Sequence, residues 1–322
     1  MIDDFVTQFW PSTIDGLAFG SIYALIALGY TMVYGVLRLI NFAHSEIFMI
    51  GTFGAMFVPY TLGIDSTLTG FALVGVLLLM VAAAMAASGG AAIALEFIAY
   101  RPLRRRGASR LAALISAIGA SLFLQELFAL FVIPRVFDRP QGGRVLVGLT
   151  RFMERKEMFK IAGHTVRQDQ VLVIVAAIAM MLLLNALVNR TRVGRGIRAT
   201  AQNPEAAVLM GVDIDTIVRI TFLVGGAMAG VAGALYLIAY EQTNFFVGFI
   251  FGIKAFTAAV LGGIGNLRGA LLGGILMGLV ENYGAIFLGG QWKDVISFVI
   301  LILVLMFRPS GILGESLRQT RA

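Results

Sequence analysis

Uncharged apolar runs separated by short basic clusters constrain this chain more than any other feature. Nine such runs occur, at residues 16–37, 47–64, 66–95, 111–133, 170–189, 220–240, 249–264, 269–287 and 295–307, three of them interrupted by a single charge at Glu126, Lys254 or Glu281. A helix crosses the hydrocarbon layer with about 20 apolar residues. A soluble domain has no use for so many runs of that length. Composition agrees: 59% of the 322 residues are hydrophobic and 13% charged, whereas soluble domains carry about a quarter charged residues. The expected fold is all-α, a polytopic transmembrane helical bundle with about eight to nine membrane segments, some broken or re-entrant, in a single domain over 1–322. The run 66–95 exceeds one perpendicular crossing, so it either tilts or includes a short re-entrant piece.

The clusters at 101–110, 190–198 and 308–321 read as cytoplasmic anchors, which puts the N-terminus outside and the C-terminus inside. On that topology fifteen Lys and Arg lie inside and ten outside, eight of the ten between Arg135 and Arg167. That interval also carries Asp138, Glu154 and Glu157, so residues of about 134–169 read as a small folded extracytoplasmic loop, solvated or in contact with another protein. The net charge of +7 would suit a nucleic-acid binder if the chain were soluble. Here the arginines sit at span ends and no basic run is interleaved with aromatics, so nucleic acid is not an expected partner and membrane lipid is. Residues 1–15 hold three aspartates and no Lys or Arg, unlike the basic start of a cleavable signal peptide, so the first segment is expected to stay.

Enzyme chemistry finds no foothold. There is no cysteine, and His44 and His164 are far apart, so no metal site is expected. No phosphate loop exists, since none of Lys156, Lys160, Lys254 and Lys293 follows a glycine, and no H-E-x-x-H or nucleophile-elbow pattern occurs. No catalytic residue and no cofactor are expected in this chain. If transport is active, its energy comes from a partner or an ion gradient.

Polar residues at membrane depth are costly and mark functional positions. Residues 41–46, with Asn41, His44 and Glu46, read either as a helix break lining a cavity or as a plain turn. Gly262, Gly263 and Gly265 with Asn266 would interrupt helix geometry and are expected, with 41–46, beside a translocation path. Glu126, Glu241, Lys254 and Glu281 are expected in structural or interfacial roles. Glycines spaced i, i+4, as in Gly16 and Gly20, Gly226 and Gly230, or Gly274 and Gly278, allow close helix crossings within the chain or with a sister subunit.

The loop after the fifth run is the sharpest local signal. Past Arg198, Asn203 can cap a short helix that starts at Pro204, with Glu205 in its positive first turn and Gly211 as a left-handed exit. Such a helix lies outside the membrane on the basic side, as a knob for a soluble partner.

The stretches LRLINFAHSEIFMIG (37–51), AYRPLRRRGASRLAALISAIGASLFLQ (99–125), RTRVGRGIRATAQNPEAAVLMGVD (190–213), GIKAFTAAVLGGIGNLRGALLGGILMGLVE (252–281) and LILVLMFRPSGILG (301–314) together resemble the branched-chain amino acid ABC transporter permease family, LivH-type subunits in particular. Two departures stand out: the family commonly has Gly where Ser45 stands, and the 135–167 loop is longer than usual. The resemblance implies a permease domain of a bacterial cytoplasmic (inner) membrane importer. It pairs with a second, homologous permease subunit as a heterodimer, with two cytoplasmic ABC ATPases that use the ATP, and with an extracytoplasmic substrate-binding protein that selects the cargo. It also implies that Arg198, Asn203, Glu205, Ala206, Ala207 and Gly211, in a coupling loop of about 190–215, dock the ATPase, since Glu205-Ala206-Ala207 and Gly211 fit the family's E-A-A-x-x-x-G pattern. The family does not fix the cargo: related permeases import urea or short amides. An ion-coupled secondary transporter using Glu46, Glu126 or Glu281, or a passive channel, is the reading outside the family.

Overall fold

The computed structural model describes residues 2–139, 142–161 and 164–314, with side chains from Thr7 onward; Arg318 and Arg321 of the last basic cluster, and the side chains of Asp3 and Asp4, lie outside the described residues. All nine apolar runs form helices: α1 (Ile2–Leu37), α2 (His44–Thr61), α3 (Gly70–Arg105), α4 (Arg110–Val136), α5 (Gln168–Arg190), α8 (Ile214–Tyr240), α9 (Val247–Gly262), α10 (Leu267–Leu288) and α11 (Lys293–Phe307). Between α5 and α8 lie the short α6 (Arg192–Gln202) and α7 (Pro204–Leu209). Seven of the nine are long and apolar enough to cross a membrane, and α2 and α9 are the exceptions.

Connectivity gathers Arg38, Arg101–Arg105, Arg190, Arg198, Arg268 and Arg308 at one end of the bundle, the basic end. At the other end the 137–167 loop carries three short strands: β1 (Val147–Gly148), β2 (Glu157–Ile161) and β3 (His164–Arg167). β2 and β3 form a hairpin, and β1 pairs antiparallel with β4 (Gln242–Thr243), which follows α8. Leu68, before α3, bridges to Met153 of the same loop. The run 66–95 therefore contains no re-entrant piece: its first residues are extended at the loop end, and α3 continues unbroken to Arg105. Both α3 and α4 contain a π-helical turn, at Glu96–Tyr100 and Phe128–Val132. Pro102 and Pro134 follow those turns, and each ring would meet the carbonyl four residues back, at Ile98 and Leu130. The wider turn makes that room.

Burial does not follow hydropathy. In α1 89% of the most apolar stretch is buried, against 6% in the last crossing helix, although α3 and α5 are the most apolar of all and are largely exposed. Lipid offers no reward for hiding apolar surface, so helices approach where side chains are small. The glycine pairs do this within the chain. Cβ atoms at Gly16 and Gly20 would stand 3.1 and 2.9 Å from the Gly278 and Gly274 carbonyls, so α1 and α10 are in backbone contact. Gly226 meets Ser88 and Gly89 of α3, and Gly51 meets Gly230.

Ion pairs lock the periphery. Lys254 of α9 reaches Glu281 of α10 at 2.5 Å and Asp294 of α11 at 2.7 Å, and Tyr23 of α1 donates to the other Glu281 oxygen at 2.8 Å. Glu126 takes Arg144 at 2.7 Å, and Glu241, in a left-handed conformation after α8, takes Arg151 at 3.2 Å. All four thus have charged partners.

Candidate functional site

Two features stand apart from this packing: a knob at the basic end and a cavity at the break before α2.

The knob is α7. Asn203 Oδ1 accepts from the Ala206 amide at 3.0 Å, Pro204 opens the helix, and Gly211 leaves it with φ 82°. A Cβ at Gly211 would meet nothing, so glycine is needed for conformation and not for space. Asp213 then caps α8, and the Thr216 hydroxyl holds its carboxyl below the usual carboxylate range. Ala207 is buried against the body, whereas Glu205 and Ala206 are exposed and Val208, Leu209 and Met210 are 53, 87 and 84% exposed. Single exposed apolar residues are ordinary; three in a row at the end of a capped helix outside the apolar runs make an exposed apolar face. Arg198 takes no part in that face. Its guanidinium donates to the Val188 carbonyl in the last turn of α5 and to Asn189 Oδ1 at 3.4 Å, anchoring α6. Arg38 at the end of α1 donates to the Ala201 carbonyl at 3.0 Å. Gly194 lies so close to the Val188 carbonyl that any side chain would collide.

The second feature begins where α1 ends. His44 packs against Gly29, nine residues before Arg38, which places the start of α2 about 13 Å inward from the basic end of α1. Residues 38–43 thus fold back into the bundle as irregular backbone, which apolar surroundings tolerate only inside protein or beside a cavity. Asn41 Oδ1 accepts from the Tyr100 hydroxyl at 2.9 Å, and the His44 ring stands edge-on to Tyr30 with Nε2 unpartnered. Both are buried. Glu46, fully buried, accepts at Oε1 from Gln125 Nε2 at 2.8 Å and Ser121 Oγ at 3.1 Å. Ser45 fits because residue 252 is glycine: a Cβ there would stand 3.2 Å from the Ser45 Cα. A cavity of about 100 Å³ opens beside these residues, lined by Ser45, Ser121 and apolar side chains including Ile118, Phe249 and Phe256.

The glycine turn does not join this cavity. Gly263 and Gly265 have φ of 107° and 98°, and a Cβ on Gly263 would stand 2.5 Å from the Gly314 amide nitrogen. Gly262 is pressed on the Gly269 carbonyl, and Asn266 caps α10 while donating to the Leu313 carbonyl at 2.9 Å. These four residues shape the α9–α10 turn against residues 310–314 at the basic end.

Residues 12–305 match the model of the branched-chain amino acid transport system / permease component family. The chain belongs to this permease family. It is 44% identical, over 96% of its length and 97% of the relative's, to the high-affinity branched-chain amino acid transport system permease protein BraD of Pseudomonas aeruginosa. It is 39% identical, over 95% and 96%, to LivH of Escherichia coli. A probable LivH of Methanocaldococcus jannaschii is 26% identical over 92% and 90%. The chain is thus a multi-pass membrane permease.

Sequence reasoning missed Ser121 and Gln125, though a polar pair four residues apart on an otherwise apolar helix was there to be seen. It also missed Leu209 and Met210, whose type alone does not distinguish a contact face from core.

Proposed function

We propose that this permease is the membrane subunit of an ATP-driven importer for branched-chain or related aliphatic amino acids in a bacterial inner membrane. In this reading α7 is the coupling helix: it seats in a cytoplasmic ATPase, and ATP-driven closure of two such ATPases moves it. A second, homologous permease completes a heterodimer, and an extracytoplasmic binding protein delivers cargo at the loop end. Asn41, Glu46 and the cavity border the path, with the turn Gly262, Gly263, Gly265 and Asn266 at its cytoplasmic margin. The observation that carries the reading is the exposed apolar face of α7, held by Asn203 and Gly211, on a chain of this family.

The test is reconstitution. The purified chain alone hydrolyses no ATP, and leucine uptake into vesicles requires added ATPase subunits and ATP. Uptake by the chain alone under a proton gradient would install the ion-coupled reading instead.

Orientation is checked by labelling this cysteine-free chain in intact cells. Cysteines at the exposed Ser109 and Gln202 are expected to resist an impermeant thiol reagent, and one at Lys160 to react. The reverse pattern would invert the topology.

A further inference from the structure

Four acids are buried among the described residues: Glu46, Glu96, Asp169 and Glu281. Three have a basic partner. Glu96 meets Arg101 and Arg104 at 3.6 and 3.4 Å, Asp169 meets Arg167 at 2.8 Å, and Glu281 meets Lys254 at 2.5 Å. Glu46 meets no Lys or Arg among the described residues. Its neighbours are neutral donors crowded on one oxygen: Gln125 and Ser121 on Oε1, with the Ser45 hydroxyl 3.2 Å away. Oε2 has no partner at all.

We propose that Glu46 is a carboxylate site for the ammonium group of an aliphatic amino acid in transit, whose apolar side chain lies in the adjoining cavity. The inference rests on the amino-acid importer reading given above. The neutral donors orient the carboxyl group and supply no countercharge, so an arriving ammonium group is what would favour its ionised form. Oε2 faces Gly248 on the first turn of α9, where a Cβ would stand 2.6 Å from it. The glycine lets the first turn of α9 close over Oε2, so α9 is the wall that must shift for a cation to reach it. Ser45 and Ser121 touch Glu46 and also line the cavity, so the polar and apolar parts of the site are continuous. Glu46 lies in the first turn of α2, whose positive end favours a negative charge there. An ammonium group brings three donors and a full charge, the complement this carboxylate lacks.

The experiment uses the assembled importer in lipid nanodiscs, without binding protein, and measures retention of radiolabelled isopentylamine. Leucine should displace it, and 4-methylpentanoate, which lacks the amine, should not. Glu46→Gln keeps an acceptor for Gln125 and Ser121, and Ile118→Trp fills the adjoining cavity. Each is expected to lower retention about tenfold or more, and Glu46→Gln to lower leucine uptake similarly with ATPase co-purification unchanged. A Gln variant that retains isopentylamine and transports leucine within about twofold of the parent would overturn the site, since a purely structural carboxyl is replaced well by its amide. Equal displacement by 4-methylpentanoate would also overturn it, leaving only an apolar cavity. Should Glu46→Gln fail to assemble, Ile118→Trp with the 4-methylpentanoate competition decides, because Ile118 lines the cavity outside the hydrogen-bond set. If the parent importer carries no leucine yet retains isopentylamine in a Glu46-dependent way, the site stands and the cargo reading falls.

Discussion

Leu209→Asp combined with Met210→Asp is expected to abolish co-purification with the ATPase and leucine uptake together, while the protein inserts and folds normally. Both side chains are more than four-fifths exposed, so the free permease loses no packing. In the complex, two apolar anchors are lost and two charges are desolvated without partners. Anchors of this kind are worth about 2 kcal/mol or more each, and about 4 kcal/mol is roughly a thousandfold in affinity. Glu205→Lys with Gly211→Val should act more weakly and by another route. A positive φ costs a branched residue roughly 1 kcal/mol or more, so the knob distorts while its face remains. Met158→Asp, at another exposed apolar position in the loop at the far end, should leave ATPase binding intact. If the double aspartate variant still binds its ATPase and transports normally, α7 is not the coupling helix.

Gly278→Val is expected to prevent folding. A Cβ at Gly278 would collide with the Gly16 carbonyl and stand 2.5 Å from the Gly20 Cα, so it meets backbone that has nowhere to turn. Overpacking of this sort costs about 1–3 kcal/mol and more where the backbone must separate, and the seam it opens joins the most buried helix of the bundle to α10. Gly75→Val in α3 is the matched control. That site is exposed with nothing within 4 Å, and the change should stay within about 0.5 kcal/mol. Mixed-micelle unfolding of the two variants beside the parent measures the difference. Equal stability would show that the α1–α10 contact is not limiting.

Hydropathy and the basic clusters made the nine helices and the basic end legible, because charge is scarce in spans whatever they pack against. The Asn203–Pro204 start and the Gly211 exit were legible too, since caps are written in the few residues that satisfy free amides. What each helix faces was hidden. An apolar residue is equally at ease against lipid or protein, so α5 and α1 look alike in sequence although one is peripheral and the other central. The glycine spacings promised close crossings but did not name partners; that Gly16 and Gly20 meet Gly278 and Gly274 depends on the order of helices in space. Residues 41–46 were ambiguous because depth, not composition, separates a turn at the surface from one folded back inside. The glycines at 262–265 attracted attention for the right property, their backbone freedom, which the chain uses to turn tightly against residues 310–314.

One mechanical consequence follows from the length of α1. Its 36 residues make a rod of about 54 Å, longer than the roughly 30 Å hydrocarbon layer, and beyond Pro11, whose missing N–H interrupts the first turns, no proline breaks the hydrogen-bond ladder that keeps it from shortening. At one tip Arg38 grips the Ala201 carbonyl beside the knob; towards the other, Thr13 is hydrogen-bonded to Tyr283 at 2.7 Å. Between them the rod is meshed with α10 through glycines, without long side chains to cushion slippage. In the importer proposed above, a push on the knob would therefore arrive at the far side as a tilt of the shaft, with α10 carried along. Energy released on one face of the membrane would then be delivered to the other through a single stiff part.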